Sequence, residues 1–295
     1  MEATLEKKRF FSNRDLVTLF LPLTIEQGLE YTVGMAVSMM VARVGESAVS
    51  GVSLVDFVMA LIISIFAALA TGGSVIAGQY LGRKETDSAK KAANQLVKAS
   101  LVLSIVIMIL LYLCKSLILN NLFGSITKEV KNAANQYFMV VALSVPFLVL
   151  YNAGAAVFRT MGNAKLPMKI MLIMNILNVV GNALLVEVFH MGVLGVAIPT
   201  LISRLGAALI ILFLANGKNF ELRVTNFMTE RFDYTMLKRI FSIGAPFGFE
   251  NEMFYLGRLV VLSVVSIFGT ASIAANSVSG TLKFFLEWQS ILVYL

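Results

Sequence analysis

One cysteine, Cys114, and one histidine, His190, are all that 295 residues supply of either type. That scarcity excludes an intrachain disulfide framework and a Cys/His cluster for zinc. Charge is scarce too: 14% of the residues are Asp, Glu, Lys or Arg, where soluble domains carry about a quarter. Motifs for enzyme chemistry are missing. The sequence has no Gly-x-x-x-x-Gly-Lys-(Ser/Thr) loop for phosphate, no dinucleotide fingerprint opening a βαβ unit and no His-Glu-x-x-His. The expectation is a protein that is not an enzyme, needs no cofactor, and takes any driving force from an ion gradient rather than from ATP.

Apolar residues are what the chain has: 58% are hydrophobic and the mean hydropathy is +0.83. A helix needs about 20 apolar residues to cross about 30 Å of hydrocarbon. Windows of that kind fall at 15–41, 52–80, 94–120, 133–157, 167–189, 193–215, 237–268 and 271–295. An open strand in lipid would leave its backbone N–H and C=O groups unpaired, so each window is expected to be helical. The predicted fold is an all-α, polytopic membrane helix bundle.

The net charge of +7 does not point to nucleic acid, because the Lys and Arg sit in short clusters between apolar windows. Most lie on one side. These are Lys7, Lys8, Arg9 and Arg14 at the start, Arg83, Lys84, Lys90, Lys91 and Lys98 in the second connection, Arg159, Lys165 and Lys169 in the fourth, and Lys218, Arg223, Arg231, Lys238 and Arg239 in the sixth. The other side has Arg43, Lys115, Lys128 and Lys131. That bias predicts a multi-pass protein of the plasma membrane with a cytoplasmic N-terminus. Residues 1–14 are polar and lack the apolar core of a signal peptide, so the first window is expected to remain as a span.

The segment 21–51 returns 224 positions later without a gap. Pro22 pairs with Pro246, Glu26 with Glu250, Tyr31 with Tyr255, Gly45 with Gly269 and Ser53 with Ser277, with Gln27 beside Asn251, Val37 beside Val261 and Val49 beside Ile273. A run this long argues for two copies of one unit. The predicted organisation is a cytoplasmic segment at 1–14, a six-helix lobe at 15–215, a polar cytoplasmic linker at 216–236 with room for a short surface helix, and two helices of a second lobe at 237–295. Gly78-x-x-x-Gly82 and Gly244-x-x-x-Gly248 have the spacing of close helix contacts and receive little weight.

Ionisable side chains inside a membrane are costly, so those that persist usually face a cavity or a partner. Glu26 and Glu30, with Gln27 between them, lie within one turn of the first span. The two carboxylates share one helix face about 6 Å apart. Desolvation and mutual repulsion favour the neutral form, so at least one is expected to exchange a proton near neutral pH; the alternative is that Glu30 bonds a neighbouring helix. Asn175, Asn178 and Asn182 form a stripe on the fifth span. Such amides either coordinate a cation, with Na⁺ at Asn178 and Asn182 a candidate, or join helices. In the seventh span Glu250 repeats Glu26 and is followed by Asn251, Glu252 and Arg258. Asp56 and Arg204 also fall within apolar windows; Asp56, near a span's end, is as readily solvated or capping as functional.

Several stretches, in order, resemble the bacterial type of multidrug and toxic compound extrusion (MATE) transporters. They are Pro22-Leu-Thr-Ile-Glu-Gln, Val44-Gly-Glu-Ser-Ala-Val-Ser-Gly-Val-Ser, Gly78-Gln-Tyr-Leu-Gly-Arg-Lys, Phe158-Arg-Thr-Met-Gly-Asn-Ala-Lys-Leu-Pro-Met and Gly244-Ala-Pro-Phe-Gly-Phe-Glu-Asn. The resemblance implies two six-helix lobes around a central cavity and export of cationic or amphipathic drugs in exchange for Na⁺ or H⁺. Beyond such small molecules, membrane lipid is the expected partner, with no nucleic acid and no obligate protein partner expected. Two departures stand out. The family pattern Met-x-Asp-Thr reads Met35-Ala-Val-Ser here, so Val37 takes the carboxylate's place, and coupling would fall to Glu26, Glu30 or Glu250. The second lobe is also expected to be incomplete, with two of its six spans. The alternatives are a flippase for a lipid-linked head group, which a basic cavity would favour, and a truncated fragment that does not transport.

Overall fold

The structure, a computed structural model, describes residues 13–119, 127–217, 220–225, 228 and 230–266, and within the helices it leaves the side chains of 13–16, 19, 251, 255, 258–260 and 262–266 undescribed. The expected span at 271–295 and the repeat partners Gly269, Ile273 and Ser277 lie outside the described residues.

Among the described residues seven α-helices follow one another: α1 (Asn13–Val44), α2 (Glu46–Gly82), α3 (Thr86–Leu117), α4 (Lys128–Thr160), α5 (Lys165–Ala183), α6 (Leu194–Ala215) and α7 (Tyr234–Ser266), and a π-helical turn (Leu184–Val188) extends α5. No strand occurs among the described residues. The chain is a polytopic helical membrane protein: five helices, α2 to α6 with the π-turn counted into α5, are long and apolar enough to cross a membrane. α1 and α7 are 32 and 33 residues long but carry the acidic clusters, which lowers their apolar density.

Most of the helices overrun their apolar windows. α3 begins at Thr86, eight residues before the window at 94–120, because polar residues such as Lys90 and Lys91 propagate a helix as readily as apolar ones once a turn exists. The turns between helices are short. α1 and α2 are separated by Gly45 alone, at φ 136°, a backbone region that glycine enters without the penalty of a Cβ. α4 starts at a cap, with the Thr127 hydroxyl accepting from the Val130 N–H at 3.4 Å.

α4 is the central post, packing against α2, α3 and α6, and its apolar stretch is the most enclosed of the five. Small residues allow this. A Cβ on Gly51 would stand 2.7 Å from the Ala134 amide N, and one on Gly154 would meet Ile211 at 2.8 Å. α1 packs on α5 and more lightly on α2, while α7 leans on α2. The α2–α7 crossing is tight: a Cβ on Gly72 would lie 2.4 Å from the Ile240 carbonyl, and one on Gly244 2.9 Å from the Ala68 carbonyl. Gly244-x-x-x-Gly248, given little weight from the sequence, therefore marks a real close contact. Pro22 and Pro246 both lie inside their helices, as the repeat requires.

The linker is a docked strap. No surface helix forms among its described residues, because their backbone groups bond to α3 instead. Asn94 donates to the Thr225 carbonyl at 3.1 Å, Gln95 donates to the Arg231 carbonyl at 2.8 Å and accepts from the Asp233 N–H at 3.2 Å, and Lys98 donates to the Glu230 carbonyl. Leu222 and Val224 are buried, and Phe220 meets Phe158 edge-on at 5.0 Å.

Candidate functional site

One stripe of α4 organises the polar interior. Tyr137, Ser144 and Tyr151 recur every seven residues, so they stack on one face about 10 Å apart. Each bonds a charged group from a different helix. The Tyr137 hydroxyl donates to Asp56 Oδ1 of α2 at 3.0 Å, Ser144 Oγ accepts from Arg204 Nη1 of α6 at 2.7 Å, and Tyr151 faces Glu26 of α1. Side chains from α1, α2 and α6 thus converge on a single helix.

Glu26 is 2% exposed. Its Oε1 accepts from Arg159 Nη2 at 2.5 Å, and the Tyr151 hydroxyl, 3.4 Å away, is nearer the Pro167 carbonyl at 3.0 Å. Arg159, placed in the fourth connection from the sequence, is in the last turn of α4, and that is what brings it to Glu26. The pair is incompletely satisfied: Glu26 Oε2 and Arg159 Nε are buried without partners. Removing two charges from water costs several kcal/mol each, and their attraction offsets this only when the remaining polar atoms are also bonded.

Glu30 lies one turn further along α1. It is exposed and makes no ion pair among the described residues. Asp56 is likewise exposed, and Arg204 is half-buried. Gln27 is exposed and Val37 is half-buried against the apolar core.

The asparagine stripe faces α6. Asn178 Nδ2 donates to the Thr200 hydroxyl at 3.0 Å, Thr200 donates on to the Val196 carbonyl at 2.9 Å, and the Asn178 and Asn182 amides meet at 3.1 Å. With the Asn182 amide turned about, its nitrogen reaches the Asn178 and Val196 carbonyls at 3.3 Å. Either way Asn178 joins α5 to α6 through Thr200, and among the described residues no carboxylate is bonded to these amides. Asn175 is buried with Nδ2 unpartnered.

The second acidic cluster stands apart. Glu250 is exposed and has no hydrogen bond or ion pair among the described residues, the Asn251 and Arg258 side chains lie outside those described, and Glu252 bonds the Ser64 hydroxyl of α2. Glu26, Glu30 and Arg204 share the six-helix lobe, whereas Glu250 sits on α7, so the structure does not gather all the expected carboxylates into one place.

Beyond the bundle interior, Asp233 stands at the start of α7. Its hydrogen bond to Lys91, a 2.6 Å ion pair, together with the Met236 N–H at 3.0 Å, holds its carboxyl below the usual range. Sequence reasoning missed Arg159, Tyr137, Ser144, Tyr151 and Thr200. A seven-residue recurrence of hydroxyls in an apolar window was the available signal for three of them.

The MatE family profile matches residues 22–184. Among curated proteins, the chain is 24% identical over 289 residues to the uncharacterized transporter YisQ of Bacillus subtilis, covering 97% of this chain and 63% of that protein. It is 25% identical over 272 residues to the probable multidrug resistance protein NorM of Thermotoga maritima, covering 90% and 57%. Among solved structures it matches a MOP superfamily transporter from Pyrococcus furiosus with a TM-score of 0.84 and 23% identity, over 92% of this chain and 60% of that one. The chain thus spans about six-tenths of the length of the relatives it matches.

Proposed function

The chain belongs to the MatE family, and from that premise we propose that it takes part in ion-coupled export of cationic and amphipathic drug-like molecules across the plasma membrane, with its N-terminus in the cytoplasm. The names of its relatives, a transporter and a probable multidrug resistance protein, support the direction of this reading. The observation that carries it is the arrangement of the two acids on α1: Glu26 is buried against Arg159, and Glu30, one turn away, is exposed and makes no ion pair among the described residues.

We assign the exchange of a proton to Glu30 and the response to Glu26. An unpaired carboxylate beside a like charge gains most from a proton, and losing its charge relieves the repulsion that Glu26 feels. H⁺ is favoured over Na⁺ because the amides at Asn178 and Asn182 already bond within the α5–α6 contact and carry no charge to offset dehydration of a cation. Val37 leaves the family's usual acidic position apolar, which moves the burden to these neighbours. The flippase alternative gains nothing from the geometry, since Arg204 stands among carboxylates rather than in a basic cavity.

The test is flux of ethidium in liposomes containing the chain, under an imposed pH gradient or an imposed Na⁺ gradient. Flux driven by the pH gradient and reduced tenfold or more in Glu30→Gln supports the assignment. Flux driven by Na⁺ alone, or unaltered in both Glu26→Gln and Glu30→Gln, overturns it.

A further inference from the structure

We propose that the end of α2 and the start of α7 together bind the phosphate of an anionic phospholipid, with Arg239, Arg83 and Lys84 as its cationic contacts. In the orientation proposed above that lipid belongs to the cytoplasmic leaflet, but its binding is measured without reference to orientation or flux.

The α2–α7 crossing sets the site. Its contacts run in opposite order along the two helices, Gly72 against Ile240 and Ala68 against Gly248, so the helices are antiparallel. Arg239 adjoins Ile240 at the crossing, whereas Tyr80 lies eight residues beyond Gly72, about 12 Å along α2. Helical side chains lean toward the N-terminus of their own helix, so in an antiparallel pair these two lean toward each other. They meet: Arg239 Nη1 donates to the Tyr80 hydroxyl at 2.5 Å. The arginine thereby carries its head group from the crossing to the end of the apolar window of α2, the depth at which lipid head groups begin.

Charge at this end is left over. The Tyr80 hydroxyl is neutral, so it orients the guanidinium without compensating it. Among the described residues Arg83, Lys84, Lys238 and Arg239 are all exposed and none makes an ion pair. Two neighbouring acids are engaged elsewhere, Asp87 with Lys90 at 3.6 Å and Asp233 with Lys91 at 2.6 Å, and Glu230 has Oε2 buried. Glu85 is the exposed acid that remains. Lys84 is also fixed by its backbone. At φ 64° it closes α2 in a turn where glycine is the usual occupant, with its N–H donating to the Leu81 carbonyl at 2.9 Å and the Glu85 N–H to the Tyr80 carbonyl at 3.0 Å.

A phosphate diester suits this arrangement. It takes two parallel hydrogen bonds from an oriented guanidinium and is attracted by the flanking cations. Acyl chains anchored in the bilayer keep such a phosphate at high local concentration beside the span, which free phosphate lacks. A zwitterionic head group carries the same phosphate, but its ammonium is repelled by the surplus positive charge.

The experiment is native mass spectrometry of the full chain in detergent micelles, titrated with phosphatidylglycerol or with phosphatidylcholine of the same acyl chains. We expect phosphatidylglycerol to bind at least tenfold more tightly. Arg239→Gln should weaken it at least fivefold and leave phosphatidylcholine unchanged, Arg239→Lys should lose less, and Tyr80→Phe should weaken it two- to threefold with no change of charge. Lys131→Gln, which removes one charge from the opposite end of the bundle, should change nothing. Lys84→Gln, on an exposed turn, serves as the second variant where Arg239→Gln does not fold, and the comparison of lipids on the unaltered chain needs neither. Equal binding of the two lipids, a loss in Lys131→Gln as large as in Arg239→Gln, or unaltered binding in both Arg239→Gln and Lys84→Gln overturns the proposal. Displacement of phosphatidylglycerol by inorganic phosphate, but not by chloride at the same ionic strength, overturns the choice of a lipid as the ligand.

Discussion

At the scale of the residue, the Glu26–Arg159 pair is asymmetric, and the asymmetry predicts how each partner's loss is felt. The Glu26 side chain is 3% exposed and that of Arg159 is 36%, so an abandoned arginine reaches water and an abandoned glutamate does not. Arg159→Gln should therefore destabilise the chain by about 3 kcal/mol, the lower end for a broken buried pair, and Glu26→Gln by clearly less, as read from thermal unfolding in detergent. Equal losses would mean that the pair is not buried as described. A second test concerns the asparagine stripe: Thr200→Val leaves the buried Asn178 nitrogen without an acceptor and should cost about 1–3 kcal/mol, whereas no loss would remove Asn178 from the α5–α6 contact. Glu26 was legible in the sequence because a carboxylate in an apolar run is conspicuous whatever surrounds it. Its partner was not, since Arg159 is 133 positions away and reads as one of several basic residues near a connection.

At the scale of the element, helix type followed from apolar windows, and the ends did not, because hydropathy marks where lipid would lie while backbone hydrogen bonding continues past it. Crossings are similarly hidden. Gly72 belongs to no spaced motif that singles it out, yet a Cβ there would stand 2.4 Å from a backbone oxygen of α7, and a backbone atom moves only if the helix moves. Gly72→Ala should thus separate α2 from α7 and cost about 1–3 kcal/mol, as overpacking does. Gly206→Ala, where nothing lies within 4 Å, should be neutral or raise stability by up to about 1 kcal/mol through helix propensity. Unfolding midpoints of the two variants that move together would show that the crossing is loose.

At the scale of the whole molecule, the strap fixes α7 to α3 through groups outside the bundle interior, so acid should loosen it. Asp233 has its carboxyl held below the usual range by Lys91, so the stabilisation it gives is complete above the unfolded value near 3.9 and is lost as pH falls through the lower folded value. Amide exchange in 230–237 should show constant protection from pH 8 to pH 5 and lose it only below about pH 4; a loss centred near pH 6 would mean that another group governs the strap. The docking of the linker was not legible in the sequence, because Asn94, Gln95 and Lys98 look like ordinary residues at a polar helix start. One connection differs from all these. α1 rests its backbone on α5 and α2, and it is bonded to α4 through the Glu26 carboxylate, which meets Arg159 and Tyr151. Taking the charge from Glu26 would break that bond while leaving the apolar packing of α1 on α5 and α2 in place.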